Sequence, residues 1–502
     1  MTVTAVRELP DDDHNRALVS AVHPESWVNP TPRGRYNLVV VGGGTAGLVS
    51  AVGAASLGAR VALVERHLLG GDCLNYGCVP SKALIRAGQA AHDVRTGEAF
   101  GVFASGVRFD FGAAMERMRR LRAQIAPHDS AARLAGLGID VFLGEGQFVA
   151  EKAVEVDGRR LEFARAVIAT GARAAAIDGL AGVGYLTNET VFSLTELPRR
   201  LVVIGAGPIA CELAQAFRRF GSEVTLVARS RQLLPREDPD AAAVIAARFA
   251  AEGIRLVLGI SEIRAADRAD GKTIMYARNG EPGEVTGDAI LVAIGRTPNV
   301  DRLGIAAANV SATERGIEVD DRLRTTNRHV FAAGDVASRY QFTHAADAMA
   351  RIVLQNALFF GRKRASGLVI PWCTYTDPEI AHVGLYAHEA EERGISFTTL
   401  TVPLAGVDRA ILDGDTEGFA RAHIDRKGRI LGITLVSRHA GESIGEAVLA
   451  MTQRLRIGAL ASTIHPYPTQ AEALKKLGDA FQRTRLTPFV RGIFERLLRW
   501  RR

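Results

Sequence analysis

Two cysteines that lie close together in the sequence offer the clearest chemistry. Cys73 and Cys78 are separated by four residues. Two thiols joined by about one turn of chain can close into a strained, reducible disulfide, and a helix start and the ammonium group of Lys82 would raise their reactivity. A zinc site would need four ligands, whereas Cys211 and Cys373 each stand alone in the sequence. The pair therefore predicts redox chemistry rather than a structural metal.

A glycine-rich loop precedes the cysteine pair and is the first element that could position it. Residues 37–41 read as a strand, the loop follows, and a helix and a second strand ending at Glu65 complete a βαβ unit. In the loop, Gly42 allows the tight turn, Gly44 lets the backbone approach a pyrophosphate, and Gly47 lets the helix pack on the strand. The carboxylate of Glu65 is placed to accept hydrogen bonds from a ribose diol.

The same unit returns over residues 201–229. Its loop carries Gly205, Gly207 and Ala210, and the dinucleotide fingerprint allows alanine at the third place. The interval between the first glycine and the glycine that closes the helix is the same in both copies. Two bound dinucleotides are therefore expected.

The end of the second copy indicates which nicotinamide dinucleotide it binds. The position that corresponds to Glu65 holds Ala228, and Arg229 and Arg231 follow. No carboxylate is there to bind a ribose 2′-hydroxyl, whereas two guanidiniums could hold a 2′-phosphate. The pattern favours NADPH over NADH. The alternative is that both arginines simply face solvent, which leaves NADH possible.

The remaining pattern divides the chain into segments. Four prolines before residue 35 indicate an irregular N-terminal arm, and strands meet glycine turns at Thr170–Gly171 and near residues 299 and 335. The dinucleotide fingerprint does not recur after about residue 371, which suggests a domain for substrate or dimer contacts. We expect an arm at 1–35, a first dinucleotide-binding domain at 36–178 and 300–365, a second at 179–299, a last domain at 366–485 and a tail at 486–502.

Composition narrows the class of protein. The 502 residues include 47% hydrophobic residues and 51 glycines, which suits a soluble α/β enzyme. The net charge of +7 comes from 62 Lys and Arg against 55 Asp and Glu, with no aromatic and basic stripe, so no nucleic-acid partner is expected. The first residues lack a secretory signal and no run is long enough to cross a bilayer, which predicts a cytoplasmic protein.

The segment from Gly70 to Lys82 resembles the active-site signature of the class I pyridine nucleotide-disulfide oxidoreductases. Further short motifs follow in the order of that family, at Ala169–Gly171, Gly295–Asn299 and Ala333–Asp335. The resemblance covers residues 36–480. It implies an α/β fold with two Rossmann-like domains, for FAD and for NAD(P), followed by a C-terminal α+β dimerisation domain. It also implies one FAD per subunit and a homodimer whose last domain completes the active site of the partner.

The same resemblance implies roles for individual residues. Cys78 would be the sulfur that faces the flavin, and Cys73 the one that exchanges with substrate. Lys82 would pair with Glu212 near the flavin ring, and Asp335 would bind the ribityl chain. The other residues implied at the cofactors are Glu65 at the FAD ribose, with Thr170, Gly171, Gly295, Arg296 and Gly334.

The proton-transfer residues of the family are altered in this chain. Disulfide-reducing members carry a His-Pro pair with a glutamate five residues after the histidine, and here counting back five from Glu472 reaches Tyr467. A phenol has a reference pKa of about 10 and is a poor base at neutral pH. His465 lies two residues earlier and, in an extended segment, would point to the same side as Tyr467, so His465 could serve as the base instead.

Tyrosine at this place, together with residues 228–229 and 236–239, resembles the mercuric reductases of the family. Two soft thiolates, Cys73 and Cys78, suit transient binding of Hg(II), and reducing a bound metal ion needs no proton delivered to a leaving thiol. The vicinal cysteines and the cysteine-bearing metal-binding domain of mercuric reductases are missing from the sequence. The expected acceptor is thiophilic, such as Hg(II). The alternatives are a disulfide reductase of the dihydrolipoyl dehydrogenase or glutathione reductase kind, and an FAD-binding redox or metal sensor.

The last segment has apolar residues at helical spacing and arginines at the other positions. Such a helix could lie on an anionic membrane surface or pack on its own dimer. The apolar positions are Phe489, Val490, Ile493, Phe494, Leu497 and Leu498.

Overall fold

The computed structural model describes residues 6–180 and 182–502, so the first five residues of the predicted arm lie outside the described part. The chain divides into two compact units. One contains the described part of Met1–Arg231 together with Glu252–Leu368, and the other contains Gln232–Ala251 and Val369–Arg502.

A seven-stranded sheet forms the centre of the first unit. Its strands are β1 (Tyr36–Val41), β2 (Val61–Glu65), β3 (Ile139–Leu143), β4 (Gly146–Ala150), β5 (Ala153–Val156), β6 (Arg159–Ile168) and β18 (Val330–Ala332). β1 pairs in parallel with β2 and β6, β3 extends the sheet beyond β2, and β18 extends it beyond β6. β4 and β5 form an antiparallel meander with the first half of β6. β1 is buried at five of its six positions, as expected for a central parallel strand covered on both faces.

Helices pack on this sheet and on one another. They are α1 (Asp13–Val22), α2 (Thr45–Ser56), α3 (Gly71–Asn75), α4 (Cys78–Thr96), α5 (Phe111–Ile125), α6 (Ala131–Gly136) and α9 (Thr343–Leu358). The prediction of an irregular N-terminal arm was wrong at α1. Asp12 caps this helix by accepting a hydrogen bond from the backbone of Asn15, and Leu18 and Val22 are fully buried, so the spacing i, i+4 gives the helix an apolar face that outweighs the flanking prolines.

A second parallel sheet repeats the arrangement around the second glycine loop. Its strands are β8 (Arg200–Ile204), β9 (Glu223–Ala228), β10 (Arg255–Leu258) and β14 (Ala289–Val292), in the order β10-β9-β8-β14, and α7 (Pro208–Phe220) follows β8. An antiparallel sheet is formed by β11 (Ile260–Arg268), β12 (Gly271–Arg278) and β13 (Glu281–Gly287). The short pairs are β7 (Ala172–Ala174) with β15 (Arg296–Pro298), and β16 (Ala312–Thr313) with β17 (Gly316–Ile317).

The second unit is an antiparallel sheet with helices, in the order β19-β20-β23-β22-β21. Its strands are β19 (Pro371–Thr374), β20 (Glu379–Gly384), β21 (Thr398–Pro403), β22 (Phe419–Ile424) and β23 (Ile430–Ser437). Its helices are α8 (Pro239–Ala251), α10 (Ala387–Glu392), α11 (Asp408–Asp413), α12 (Ala440–Thr452), α13 (Gly458–Ser462), α14 (Glu472–Thr484) and α15 (Pro488–Trp500). Two doubly covered parallel sheets and this α+β unit confirm the predicted fold class. The proposed domain boundaries stay a prediction.

The tail forms the predicted helix, α15. None of its residues is buried, and its apolar side chains, such as Phe489 and Leu498, remain exposed. Among the described residues no helix is long and apolar enough to span a bilayer. The membrane and dimer interpretations of the tail both stay predictions.

Replacing Gly47 with alanine tests the close packing of the first loop. A Cβ atom there would stand 1.8 Å from the carbonyl oxygen of Gly42. We expect the free energy of unfolding to fall by about 3 kcal/mol or more, because the backbone must shift, as measured by chemical denaturation. Gly207→Ala is the matched control: nothing lies within 4 Å of its Cβ position, and we expect a loss of about 1 kcal/mol or less. Equal effects would contradict the packing role of Gly47.

Candidate active site

The two cysteines lie at a helix junction in the first unit. Cys73 is within α3, and Cys78 is the first residue of α4. Both are free thiols; Cys73 is half-buried and Cys78 is exposed. The Sγ atom of Cys78 lies 3.4 Å from the Oγ1 atom of Thr343, the first residue of α9. The junction thus places the two thiols and one hydroxyl together.

These contacts separate the acidities of the two thiols. A hydrogen bond from Cys73, assisted by Thr343 and by the positive charge of Lys82, lowers the pKa of Cys78 to about 6. The same hydrogen bond to Cys78, together with burial, raises the pKa of Cys73. The two thiols therefore titrate as a pair in which Cys78 is the more acidic member.

A partly buried ion pair lies in the same unit. The ammonium group of Lys82 on α4 donates to Oε2 of Glu212 on α7 at 2.7 Å. The side chain of Glu212 is 6% exposed and that of Lys82 is 37% exposed. The structure thus brings together the two side chains that the family resemblance pairs.

A network of charged groups holds the residue before Cys73. Asp72 accepts hydrogen bonds from Arg296 at 3.1 Å and from Asn188 at 3.0 Å. The Nε atom of Arg296 is buried without a hydrogen-bond partner among the described residues and lies 3.6 Å from Oδ2 of Asp335. Burial raises the pKa of Asp335 to about 6, although Arg296 lowers it. Arg296 thus ties the redox loop to the turn after β18.

The predicted residues of the first glycine loop converge. Glu65 accepts hydrogen bonds from the backbone of Gly43 at 2.6 Å and from that of His67 at 2.7 Å. A Cβ atom at Gly42 would stand 2.3 Å from the carbonyl oxygen of Ala169, beside Thr170 and Gly171, and one at Gly334 would stand 3.2 Å from Cβ of Ala46 in α2. The three motifs that follow β1, β6 and β18 therefore meet at one edge of the sheet, as the carboxyl ends of parallel strands do.

The second loop repeats the geometry. Gly205 has φ +135°, and α7 starts after Gly207, with Ala210 buried in its first turn. Arg229 and Arg231 are exposed after β9, and neither has an ion-pair partner in the described part of the chain. Gly295 has φ +137° and follows β14.

The predicted proton-transfer residues lie in the second unit and have separate partners. The Nε2 atom of His465 lies 2.9 Å from Oε2 of Glu446 on α12, and its Nδ1 atom lies 3.0 Å from the carbonyl oxygen of Thr463. Tyr467 is 72% exposed and donates to Asp408 at 2.8 Å, which raises the pKa of its phenol. His465 and Tyr467 therefore contact different carboxylates.

Glu472, at the start of α14, forms no hydrogen bond with His465 or Tyr467. Its Oε1 atom lies 3.5 Å from the ammonium of Lys476, and its buried Oε2 atom has no hydrogen-bond partner within the described residues. The pairing of a base with Glu472, which the family pattern implies, is not present in this subunit.

Sequence reasoning missed several of these partners. Asp72 stands inside the signature and could have been found from its place beside Cys73. Thr343, Asn188 and Glu446 carry no local signal, because each lies far along the chain from the group it contacts.

Comparison with known proteins identifies the family. A sequence model of the family described as pyridine nucleotide-disulphide oxidoreductase matches residues 36–350. The chain belongs to this family. A model described as the dimerisation domain of the same family matches residues 370–477. The predicted family and general enzyme class are confirmed.

Relatives with different enzyme names are similar to this chain. A mercuric reductase from Streptomyces lividans is 37% identical over 458 residues, which cover 89% of this chain and 96% of the relative. A dihydrolipoyl dehydrogenase from Geobacillus stearothermophilus is 33% identical over 441 residues, covering 86% of this chain and 93% of the relative. Among solved structures, the HOCl-induced flavoprotein disulfide reductase RclA from Escherichia coli has a TM-score of 0.79 and 29% identity, covering 88% of this chain and 99% of that chain.

The residues present fit the cofactors of the family, FAD and NAD(P)H. α2 begins after Gly44 without a side-chain cap, so its first backbone N–H groups suit a pyrophosphate. At Gly207 the space for a Cβ is open, which suits close approach of a second dinucleotide. The buried, unpaired Nε atom of Arg296 beside Asp335 is a donor for a further polar group. The predicted use of FAD with a nicotinamide dinucleotide is confirmed by the family.

Thr343→Val tests the thiolate site of this oxidoreductase. Because the pKa of Cys78 is lowered, its thiolate is present above about pH 6 and is lost as the pH falls through that value. Removing the hydroxyl should raise this pKa by about half to one unit, the effect of one lost hydrogen bond. The measurement is the rate of iodoacetamide alkylation of the reduced protein against pH. Thr343→Ser keeps the hydroxyl and should follow the parent profile; identical profiles for Val and Ser would contradict the assignment.

Proposed function

We propose that this enzyme passes electrons from NADPH through FAD and the Cys73–Cys78 pair to a thiophilic acceptor such as Hg(II). The balanced reaction converts NADPH and Hg(II) into NADP⁺, a proton and Hg(0): the nicotinamide loses two electrons and the metal ion gains them. Bound FAD supplies the two-electron relay between the nicotinamide and the cysteine pair. The relatives named mercuric reductase support this acceptor.

The cysteine pair supports binding of a soft metal ion. Cys78 carries a thiolate at neutral pH and is exposed, and Cys73 is within hydrogen-bond reach of it. Thiolates prefer soft ions such as Hg(II), and binding would displace the proton that Cys73 holds. Thr343 and Lys82 would hold the negative charge in place while the metal ion binds.

The observation that carries the proposal is the state of Tyr467. Its hydroxyl donates to Asp408, and its raised phenol pKa excludes it as a base at neutral pH. Reduction of a disulfide needs a group that takes up and returns a proton at the leaving thiol, whereas reduction of a bound metal ion does not. A tyrosine with this bonding therefore suits a metal acceptor better than a disulfide.

One observation favours a second candidate function, the reduction of a disulfide. The ring of His465 lies against Glu446, and its side chain is only 6% exposed. A histidine oriented by a carboxylate is a common general acid and base. In this alternative, His465 with Glu446 would move the thiol proton that Tyr467 cannot.

Turnover with three acceptors tests the two candidates. We expect NADPH oxidation with excess thiol to be fast with Hg(II) and at least about 100-fold slower with lipoamide or oxidised glutathione, because no base serves the leaving thiol. Cys73→Ser should abolish the Hg(II)-dependent rate. The measurement is the decrease in NADPH absorbance.

Variants of the second unit provide the controls. Tyr467→His should raise the disulfide rates, while His465→Gln should leave the Hg(II) rate unchanged. Fast disulfide turnover in the parent that His465→Gln removes, without any Hg(II) response, would refute the metal proposal and favour the second candidate.

For the nicotinamide dinucleotide we propose NADPH. The two exposed guanidiniums of Arg229 and Arg231, without ion-pair partners in the described part, support a site for a 2′-phosphate. Arg229→Ala with Arg231→Ala should raise KM for NADPH by about 10- to 100-fold, the loss of one or two charge-assisted hydrogen bonds, and leave KM for NADH almost unchanged. Initial-rate kinetics with both cofactors measure this, and an equal change for both would contradict the proposal.

The remaining roles follow the family pattern and are proposed with it. Glu65 would bind the FAD ribose, Asp335 the ribityl chain, and the Lys82–Glu212 pair would lie near the flavin ring. The match to the dimerisation domain supports a homodimer in which the second unit of each chain completes the active site of the other.

A further inference from the structure

We propose that the N-terminal segment, residues 8–22, positions the redox-active loop, with Glu8 and Arg122 as positioning residues for the Cys73–Cys78 pair. This inference rests on the proposed function, because it assumes that the pair cycles between dithiol and disulfide. The segment lies before residue 36, where the match to the family begins. It is therefore an addition to the part of the chain that the family pattern describes.

Two of the four residues between the cysteines are hydrogen-bonded to Glu8 or Arg122. The hydroxyl of Tyr76 donates to Oε1 of Glu8 at 2.5 Å. The carbonyl oxygen of Asn75 accepts from Nη1 of Arg122 at 2.7 Å. The loop between the thiols is thus fixed through one side chain and one backbone group.

Arg122 connects the loop to the N-terminal segment. Its Nη2 atom donates to Oδ1 of Asn15 on α1 at 2.5 Å, and its Nη1 atom lies 3.6 Å from Oε2 of Glu8. Both charged side chains are buried, with 2% of Arg122 and 9% of Glu8 exposed. A buried guanidinium is tolerated only where opposite charge and acceptors surround it, so Glu8 and Asn15 are required partners rather than surface contacts.

Further contacts attach the same segment to the chain on either side of the loop. Asp12, at the start of α1, accepts from Nε of Arg119 at 2.5 Å. At the other end, the carbonyl oxygen of Val22 accepts from the backbone of Leu69 at 3.3 Å. The N-terminal segment is therefore hydrogen-bonded to the loop and to its neighbours at several points.

The contacts of the N-terminal segment matter because the cysteine pair needs a defined geometry in both redox states. A disulfide tolerates only a narrow range of separations and dihedral angles, and the thiol–thiolate hydrogen bond is equally demanding. Anchoring Asn75 and Tyr76 limits how far the loop can move between the two redox states. Loss of the contacts between residues 8–22 and the redox loop would loosen the contacts of Cys78 with Cys73 and Thr343. Those two contacts lower the pKa of Cys78.

A set of conservative variants tests the inference in the full-length holoenzyme. Glu8→Ala removes the acceptor, Tyr76→Phe removes only the donor hydroxyl, and the double variant removes both. Asp13→Asn is the control, because Asp13 is exposed on α1 and pairs with Arg16 away from the loop. The measurements are flavin per chain, the pH midpoint of iodoacetamide alkylation after reduction by dithiothreitol, and the redox potential of the pair in dithiothreitol buffers.

We expect both single variants to retain flavin and to move the alkylation midpoint upward by about half a unit, as for one lost hydrogen bond. The double variant should shift it no further than Glu8→Ala alone, because Glu8→Ala already removes the acceptor of the Tyr76 hydroxyl in addition to the ion-pair partner of Arg122. The control should match the parent. Variants that only lower the melting temperature, with midpoint and potential unchanged, would overturn the inference.

The same experiment separates this inference from the proposed function. If NADPH generates no new thiols in the parent protein, the proposed electron path fails. The alkylation midpoint and the potential, measured with dithiothreitol, still decide whether the N-terminal segment positions the pair.

Discussion

The interaction between the thiols of Cys73 and Cys78 is the one that the charged groups around the redox loop must accommodate. Sharing one proton lowers the pKa of Cys78 and raises that of Cys73, so the reduced pair carries one negative charge. The groups around the pair stabilise this negative charge. Thr343 and Lys82 stabilise the thiolate, whereas the carboxylate of Asp72, which would repel it, is turned to Arg296.

Three carboxylates of the first unit also lie close to a cation. The carboxylates of Glu212 and Glu8 each lie against a cation, Lys82 and Arg122 respectively, and Asp335 lies near Arg296. Removing one partner of a buried pair leaves a charge without compensation, while the intact pair adds little net stability. These pairs therefore fix geometry around the cysteines more than they stabilise the fold.

The second unit distributes acid and base groups differently from the family pattern. Two residues that are neighbours in sequence, His465 and Tyr467, contact carboxylates on different helices, Glu446 on α12 and Asp408 on α11. Glu472, which the family pattern pairs with the base, has a buried oxygen without a hydrogen bond among the described residues. The hydrogen-bond partners of these three residues are thus set by tertiary contacts, and the proposed metal and disulfide acceptors would place different demands on them.

The sequence by itself determined the family, the two dinucleotide loops and the cysteine pair, because glycine spacing and the thiol loop are local patterns that fix backbone conformation within a few residues. It also placed Lys82 and Glu212 together, but only through resemblance. The helix at Asp13–Val22 was missed because its apolar face is short and flanked by prolines. Only the tertiary structure decided the partners Thr343, Asn188, Glu446 and Glu8, since each contact joins residues distant in sequence, and no local periodicity records which side chains a fold brings within hydrogen-bond distance.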